Sequence, residues 1–444
     1  MHKCGSLLSV ALYFASYPTK LTFLSMKNKQ ICLFSLLSSG LLLQSATSVS
    51  ASPLVSIGDN AAIFFKGSSS LRWVSNVFRD ETDEVEDLVW TVSPGFKLDL
   101  GHGASNADFS VTTRYDILRY EDTSRLDVEL FHIRADGSYR GSRLSVNGSL
   151  SFDESKTSSG ENNVINDLIS FDTTAAKINS EYQISPKFSF GSGLQYSEQE
   201  YTSFEDRFAD RETFSVPLDV FYELTPKVDL SLGYSYTHVD IEGTMIENSV
   251  LPTQGVVSDG YESTSHFFNV GARGYLLPKL SGSFKIGYRM RSSDDSDRRN
   301  VLLATGATVA PAVAPVSRDD TGMLGLDADL TWMVLPKMTA GLALSRDFGV
   351  GGEGESTENS SAKLYASYAI SSHFSASANL GYTLRDYTDG DREDDQYNAG
   401  VRVSYSPNEY WSFSTGYTYT ENDSNQIDSS YENNTLDLTA TLRY

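Results

Sequence analysis

The last nine residues of the chain, Leu436 to Tyr444, alternate between apolar and polar side chains. Because successive side chains of a β-strand point to opposite faces, this pattern predicts a terminal strand with one apolar and one polar face. A half-buried strand of a soluble protein would show the same pattern. The distinction therefore depends on how often the pattern recurs along the chain.

A longer unit that contains such a strand does recur. It begins with a short turn, continues as an alternating strand and reaches a Gly-Tyr pair before a charged loop, as in Pro226–Tyr236. Copies begin at residues 186, 226, 278, 336, 372 and 407, which gives spacings of 40, 52, 58, 36 and 35 residues. Such variable spacing is typical of a barrel with short turns at one end and longer loops at the other, whereas solenoid and propeller repeats vary less.

Over residues 63–444 the pattern predicts an all-β fold, a transmembrane antiparallel up-and-down β-barrel of about 18 strands, with 16–18 fitting the pattern. The predicted strands begin near residues 63, 87, 107, 126, 143, 171, 187, 212, 228, 265, 280, 322, 337, 361, 373, 396, 410 and 434. An even count places both termini in the periplasm. Roughly 18 strands tilted by about 40° give a bore roughly 35 Å across, too wide for side chains to fill. Pro94 and Pro217 lie inside predicted strands and suggest β-bulges or misplaced boundaries.

The two faces of the predicted strands differ in composition. In residues 228–236 and 374–384 one register is aliphatic or aromatic and includes Leu232 and Leu380, whereas the other register is small or polar. Tyr recurs near the strand ends, where a membrane protein places such rings at the level of the lipid headgroups. This arrangement favours a lipid-facing outer surface over the shared core of a soluble sandwich.

The polar register then faces water inside the barrel. Its charged positions are candidate lumen-lining residues, because charges at a constriction set the selectivity of a channel. The candidates are Lys177, Asp219, Arg273, Lys285, Arg289, Asp327, Asp329, Lys363, Arg385 and Arg402, with Glu223 and Asp229 as further opposing acids. Each of them, taken singly, could instead serve only to hydrogen-bond along the inner wall.

The first 51 residues contain no Asp or Glu and have the features of a signal peptide. They contain a basic segment at Met26–Lys29, an apolar run from Ile31 to Leu43 and small residues at Val49–Ala51, which predicts cleavage after Ala51. Met26 is the better-placed start, the alternative being a long signal sequence from the first residue. Residues 52–62 are then a short periplasmic segment before the barrel.

Composition excludes several classes of function. Both cysteines, Cys4 and Cys32, fall in the predicted signal peptide, so its removal leaves neither disulfide nor thiolate chemistry. Its four lysines take the formal charge from −23 to −27 when they are lost, which disfavours nucleic-acid binding. Later in the chain no apolar run reaches the length of a transmembrane helix, so a membrane can be crossed only by a closed barrel.

Patterns for catalysis or for bound groups are missing from the sequence. The histidines show no zinc-ligand spacing, and no nucleophile elbow, Walker loop or dinucleotide fingerprint occurs. We therefore predict neither enzyme activity nor a metal or cofactor. Acidic loops near residues 80–86 and 386–395 are expected to be solvated, to hold cations that bridge lipopolysaccharide or to favour the entry of cations. The loop at residues 292–320 either folds inward as a constriction or cap, or lies exposed and disordered.

The chain after residue 51 resembles the β-barrel porins of Gram-negative outer membranes, including a porin-like group some of whose members accompany exopolysaccharide-export genes. The resemblance rests on the Pro-Lys turns, the Gly-Tyr strand ends and the final Thr441-Leu442-Arg443-Tyr444, where Tyr replaces the more usual Phe. It implies a location in the outer membrane of a Gram-negative bacterium. It also implies assembly by the barrel-assembly machinery through the strand Leu436–Tyr444, and it supplies no catalytic residues.

Three functions fit these features. The first is a porin-like channel for passive diffusion of small hydrophilic solutes, which the wide polar lumen favours. The second is the outer-membrane barrel of an exopolysaccharide export system, and the third is a structural or adhesive surface barrel. The expected partners are outer-membrane lipid and lipopolysaccharide, with a homo-oligomer as a further alternative.

Overall fold

A computed structural model describes residues 52–58, 60–101, 106–158, 167–247, 254–302, 306–309 and 315–444. The strands are β1 (Val55–Ile57), β2 (Ala61–Val74), β3 (Asp87–Leu100), β4 (Ala107–Tyr120), β5 (Val128–Arg140), β6 (Leu144–Thr157), β7 (Ile169–Ser185), β8 (Phe188–Tyr201), β9 (Arg211–Thr225), β10 (Val228–Ile241), β11 (Thr244–Glu247), β12 (Gln254–Ser258), β13 (Tyr261–Leu277), β14 (Leu280–Ser293), β15 (Arg298–Leu302), β16 (Thr321–Leu335), β17 (Met338–Val350), β18 (Ser356–Ala369), β19 (Phe374–Tyr387), β20 (Glu393–Tyr405), β21 (Trp411–Ser424) and β22 (Tyr431–Arg443). The predicted signal peptide, residues 1–51, lies outside the described residues and stays a prediction.

Eighteen of these strands form one closed antiparallel barrel: β2 to β10, β13, β14 and β16 to β22. Closure comes from β22, which pairs with β2 from Lys66 opposite Arg443 to Val74 opposite Thr435. The short strand β1 pairs with the first residues of β2, which extend past the end of β22. Both edges of β2 are therefore hydrogen-bonded, as a backbone surrounded by hydrocarbon requires.

The predicted fold class is confirmed, and all eighteen predicted strand starts lie within five residues of the observed ones. The largest differences are at β18, which begins at Ser356 instead of residue 361, and at β13, which begins at Tyr261 instead of residue 265. Both extensions lie at the loop ends of the strands. Outside the hydrocarbon layer the outer face needs no apolar residue, so the alternation stops before the strand does.

The expectation of bulges or misplaced boundaries at the two strand prolines is wrong. Pro94 lies in β3 opposite Gly67, and the pairing of β3 with β4 keeps the same register on both sides of it. Pro217 lies in β9 opposite Ser235, and the register with β8 is likewise unchanged across it. Each ring removes one N–H from the ladder without shifting it, because the bonds on either side hold the alignment.

Short turns lie at one end of the barrel and longer loops at the other. Four turns contain the Pro-Lys pair, at residues 186–187, 226–227, 278–279 and 336–337, and each is flanked by a register irregularity in its strands. At the loop end, β11, β12 and β15 form a separate three-stranded sheet above β10, β13 and β14. The sheet thus continues the wall of the barrel outward on one side.

The strand register separates an apolar outer face from a polar inner face. Three leucines of the apolar register have highly exposed side chains: Leu232 is 66% exposed, Leu380 59% and Leu438 62%. Apolar side chains with this exposure are expected to face lipid. The opposite register of the barrel strands carries the ion pairs described below, several of which join strands that are not adjacent. Such pairs can form only on the concave side of a closed sheet, so the apolar register faces outward.

Leu380→Arg should reduce assembly of the barrel, because an arginine on the lipid face near the midplane costs about 2–4 kcal/mol. The neighbouring Asn379 is also exposed but belongs to the inner register, so Asn379→Arg is the matched control and should assemble normally. The measurement is the fraction of heat-modifiable protein in the outer membrane fraction. Equal assembly of the two variants would contradict the assigned facing.

Candidate functional site in the barrel lumen

All ten predicted lumen residues lie in the inner register of the barrel. Across β14 and β16, for example, Lys285 is opposite Asp327 while Ile286 is opposite Leu326, so charged and apolar residues alternate in step on neighbouring strands. The same alternation places Lys363 opposite Gly381, and Gly381 opposite Asn398. The part that these residues play in solute passage stays a prediction.

One group of ion pairs crosses intervening strands. The ammonium of Lys285 on β14 lies 2.7 Å from Asp219 on β9, although β10 and β13 lie between these strands. The guanidinium of Arg273 on β13 lies 2.6 Å from Glu181 on β7 and 2.9 Å from Asp229 on β10. Both cations are therefore held along the wall by carboxylates that come from other parts of the sequence.

A second group joins closer strands. Arg289 contacts Asp327 at 2.8 Å and Asp347 at 3.1 Å, and its guanidinium stacks 3.8 Å from the centre of the Phe267 ring. Arg402 donates two hydrogen bonds to Asp437, at 2.6 and 2.8 Å. An arginine that makes two hydrogen bonds to one carboxylate or stacks on an aromatic ring is held in a fixed orientation, so these side chains are held firmly against the inner wall.

Inward glycines provide the space in which these side chains lie. A Cβ on Gly271 would meet Cγ of Lys285 at 3.0 Å, and a Cβ on Gly233 would meet Oδ1 of Asp219 at 2.5 Å. A Cβ on Gly416 would likewise meet the Asp437 carboxylate at 2.7 Å. The long charged side chains thus lie against the wall over glycines.

Three of the ten predicted residues have no ion pair or hydrogen bond to another described residue, namely Lys177, Asp329 and Lys363. Arg385 donates to the amide oxygen of Asn359 at 3.3 Å. The other six are held in the ion pairs above. These three charges are therefore the ones among the ten that no other described residue neutralises.

Several residues of the inner wall were not found from the sequence. Glu181, Asp347 and Asp437 are the partners of predicted cations, and their strand positions carry the same polar signal as the residues that were chosen. His132 lies between two carboxylates, 2.8 Å from Asp153 and 3.3 Å from Asp116. Cross-strand pairing of β4, β5 and β6 brings these three together, which a single strand cannot reveal.

Two loops meet across the open end of the barrel. The loop at residues 202–210 follows β8 and the loop at residues 351–355 follows β17, on opposite sides of β10, β13, β14 and β16. Nε of Arg207 in the first lies 2.8 Å from Oε1 of Glu353 in the second. Arg211 also donates to the carbonyl oxygens of Val350 and Gly351. The two loops thus narrow the mouth.

Buried aromatic contacts fix this narrowing. Phe208 is 2% exposed and stacks on Tyr201 with ring centres 5.0 Å apart. The hydroxyl of Tyr261 donates to the carbonyl oxygen of Gly354 at 2.8 Å, and a Cβ on Gly354 would lie 3.2 Å from Ile241. Asp210 accepts a hydrogen bond from the Tyr201 amide at 2.7 Å, and burial raises the pKa of its carboxyl group.

The described part of the loop at residues 292–320 also packs at the mouth. Ser296 and Val316 exchange backbone hydrogen bonds, and the guanidinium of Arg318 lies 3.6 Å from the centre of the Tyr261 ring. Arg318 also pairs with Asp389 at 3.0 Å. This loop therefore adds to the narrowing made by the loops at residues 202–210 and 351–355. Those two shorter loops were not identified from the sequence.

Among the described residues, no group of His, Cys, Asp and Glu side chains is arranged to hold a metal ion. The same residues include no helix of the length and apolar character needed to span a membrane.

Comparison with known families supports the class of protein. Residues 316–444 match the family described as "Putative beta-barrel porin 2". The predicted resemblance to β-barrel porins is thereby confirmed for this C-terminal part of the chain. No curated protein matches the sequence.

Solved structures with a similar barrel include the outer membrane protein OpdK and OccK5 (OpdH), both from Pseudomonas aeruginosa. OpdK is 9% identical with a TM-score of 0.40, covering 86% of this chain and 99% of its own. OccK5 is 12% identical with a TM-score of 0.40, covering 87% and 98%. The ferric-catecholate import receptor Fiu from E. coli K12 is 10% identical with a TM-score of 0.42, covering 89% and 82%. The fold assigned here rests on strand register.

Shortening the loop at residues 351–355 by deleting 352–354 should raise single-channel conductance, because the ion pair of Glu353 with Arg207 and the contact at Gly354 are lost. Gly351 and Glu355 already share a backbone hydrogen bond and can close the shorter turn. Deleting 426–428 in the β21–β22 loop, where Ile427 is 83% exposed, is the matched control. Equal conductance of the two deletions would show that residues 351–355 do not limit the path.

Proposed function

We propose that this protein is a porin-like channel for passive diffusion of small hydrophilic solutes across the outer membrane of a Gram-negative bacterium. The observation that carries the proposal is the arrangement of the lumen charges. They pair along the wall over glycines, so an 18-stranded barrel retains a polar, hydrated bore. We expect no catalysis, since six of the ten candidate charges are engaged in ion pairs along the wall.

The narrowed mouth adds a limit on solute size. Loops 202–210 and 351–355 are joined by an ion pair, a set of carbonyl contacts and buried aromatic residues, which favours a fixed restriction over an open end. Passage of small polar molecules fits such a restriction better than passage of a folded or branched polymer. Insertion through the terminal strand Leu436–Tyr444 and contact of the acidic loops with lipopolysaccharide are part of the same proposal.

Liposomes that contain the purified protein should swell in isotonic sugar solutions, at rates that fall steeply as the sugar becomes larger. The protein is taken from membranes of cells that express the full chain, and its folded state is checked by heat modifiability. Liposomes with heat-denatured protein are the control. Folded protein that gives no swelling with even the smallest sugar would contradict the proposed function.

A further inference from the structure

A concave region of about 460 Å³ lies in the inner wall at β14, β16, β17 and β18. The register arranges its inward side chains in two rows across these strands. One row carries Ser283, Asp329, Ala343 and Lys363, and the next carries Lys285, Asp327, Ser345 and Ser361. The volume is in the range of sites for small molecules.

Two of the charges in this region are neutralised and two are not. Lys285 reaches across β10 and β13 to pair with Asp219, and Asp327 pairs with Arg289. Asp329 and Lys363 have no such partner among the described residues, although only Ala343 lies between them in their row. An acid and a base are thus left unpaired on either side of a small residue.

The floor of this region leaves room for a ligand. Ala343 is small, and the hydroxyls of Ser345 and Ser361 in the next row lie 2.7 Å apart. Two strand spacings separate the backbones of Asp329 and Lys363 by about 10 Å. A ligand that lies over Ala343 can therefore meet a carboxylate at one end, an ammonium at the other and hydroxyls along its side.

We propose that this region is a binding site for a small zwitterion, an amino acid whose carboxylate and ammonium are separated by a few carbon atoms. The ligand carboxylate accepts from the Lys363 ammonium, the ligand ammonium donates to the Asp329 carboxylate, and Ser345 and Ser361 contact the chain between them. The site rests on the proposed channel function, since the ligand reaches it through the lumen.

A molecule with a single charge gains less at this site. A cation would be attracted by the Asp329 carboxylate but repelled by the Lys363 ammonium. An anion would be attracted by Lys363 and repelled by Asp329. A zwitterion in the stated orientation pairs both charges, and hydrogen bonds between charged groups contribute more than neutral ones. The preference is therefore for the two charges in one molecule over either charge alone.

The test uses 4-aminobutyrate as the probe, with butyrate and butylammonium as partners of the same length that carry one charge each. Purified protein in planar bilayers is titrated with each compound at low salt, and the saturable change in ion current gives a half-saturation concentration. Asp329→Asn and Lys363→Gln should each raise this concentration for 4-aminobutyrate by about tenfold. The exchanged pair, Asp329→Lys with Lys363→Asp, should restore it, because the ligand can bind in the opposite direction.

Lys177→Gln and Glu223→Gln are the matched controls, since both remove a charge from the inner register away from the region and should leave the half-saturation unchanged. Equal binding of the three compounds, or equal effects of the control and test variants, would overturn the site while leaving the channel function in place. Folded wild-type protein that carries no ion current under any condition would instead overturn the channel function itself.

Discussion

The need to hydrogen-bond every backbone N–H and C=O inside the hydrocarbon layer governs this structure. A sheet meets that need only by closing on itself, and here β22 closes onto β2 while β1 pairs with the part of β2 that β22 does not reach. The alternating strand pattern follows from closure. One register of each strand faces lipid and must be apolar, and the other faces the lumen and is free to be polar.

Polar side chains of the inner wall form ion pairs along the wall. Lysines and arginines reach across one or more strands to carboxylates, and inward glycines provide the space beneath them, as Gly271 and Gly233 do for Lys285 and Asp219. Pairing along the wall keeps these charges from projecting into the bore. Asp329 and Lys363 differ from these paired charges, because they are close in the register and yet neither pairs with a described side chain.

Much of the fold could be read from the sequence, since alternation is a local property. It placed the strand starts within five residues, assigned the outer face of Leu232 and Leu380, and put all ten candidate charges in the inner register. The ion-pair partners of these charges could not be predicted in this way, because the pair of Lys285 with Asp219 depends on which distant strands lie near each other in the curved wall. The sequence also does not show that Gly271 leaves space for the side chain of Lys285, because this depends on the position of Lys285 on the neighbouring strand.

The contact between loops at the mouth of the barrel could not be predicted from the sequence either. The loops at residues 202–210 and 351–355 are short and mixed in composition, and no local sequence feature indicates that they contact each other. Their contact between Arg207 and Glu353 exists because barrel closure brings the ends of β8 and β17 to the same opening. The loop at residues 292–320 is long and contains an apolar stretch, so it is conspicuous in the sequence, whereas the two shorter loops make the direct bridge across the mouth.

The central claim is that odd-numbered residues of β19 face a water-filled lumen and even-numbered residues face lipid. The chain has no cysteine after residue 51, so single cysteines can be placed in turn at positions 377 to 384 and treated with a membrane-impermeant maleimide in intact outer membranes. Labelling that alternates, strong at odd and weak at even positions, is the predicted result. Uniform labelling along the strand, or strong labelling at position 380 with none at 379, would contradict the claim.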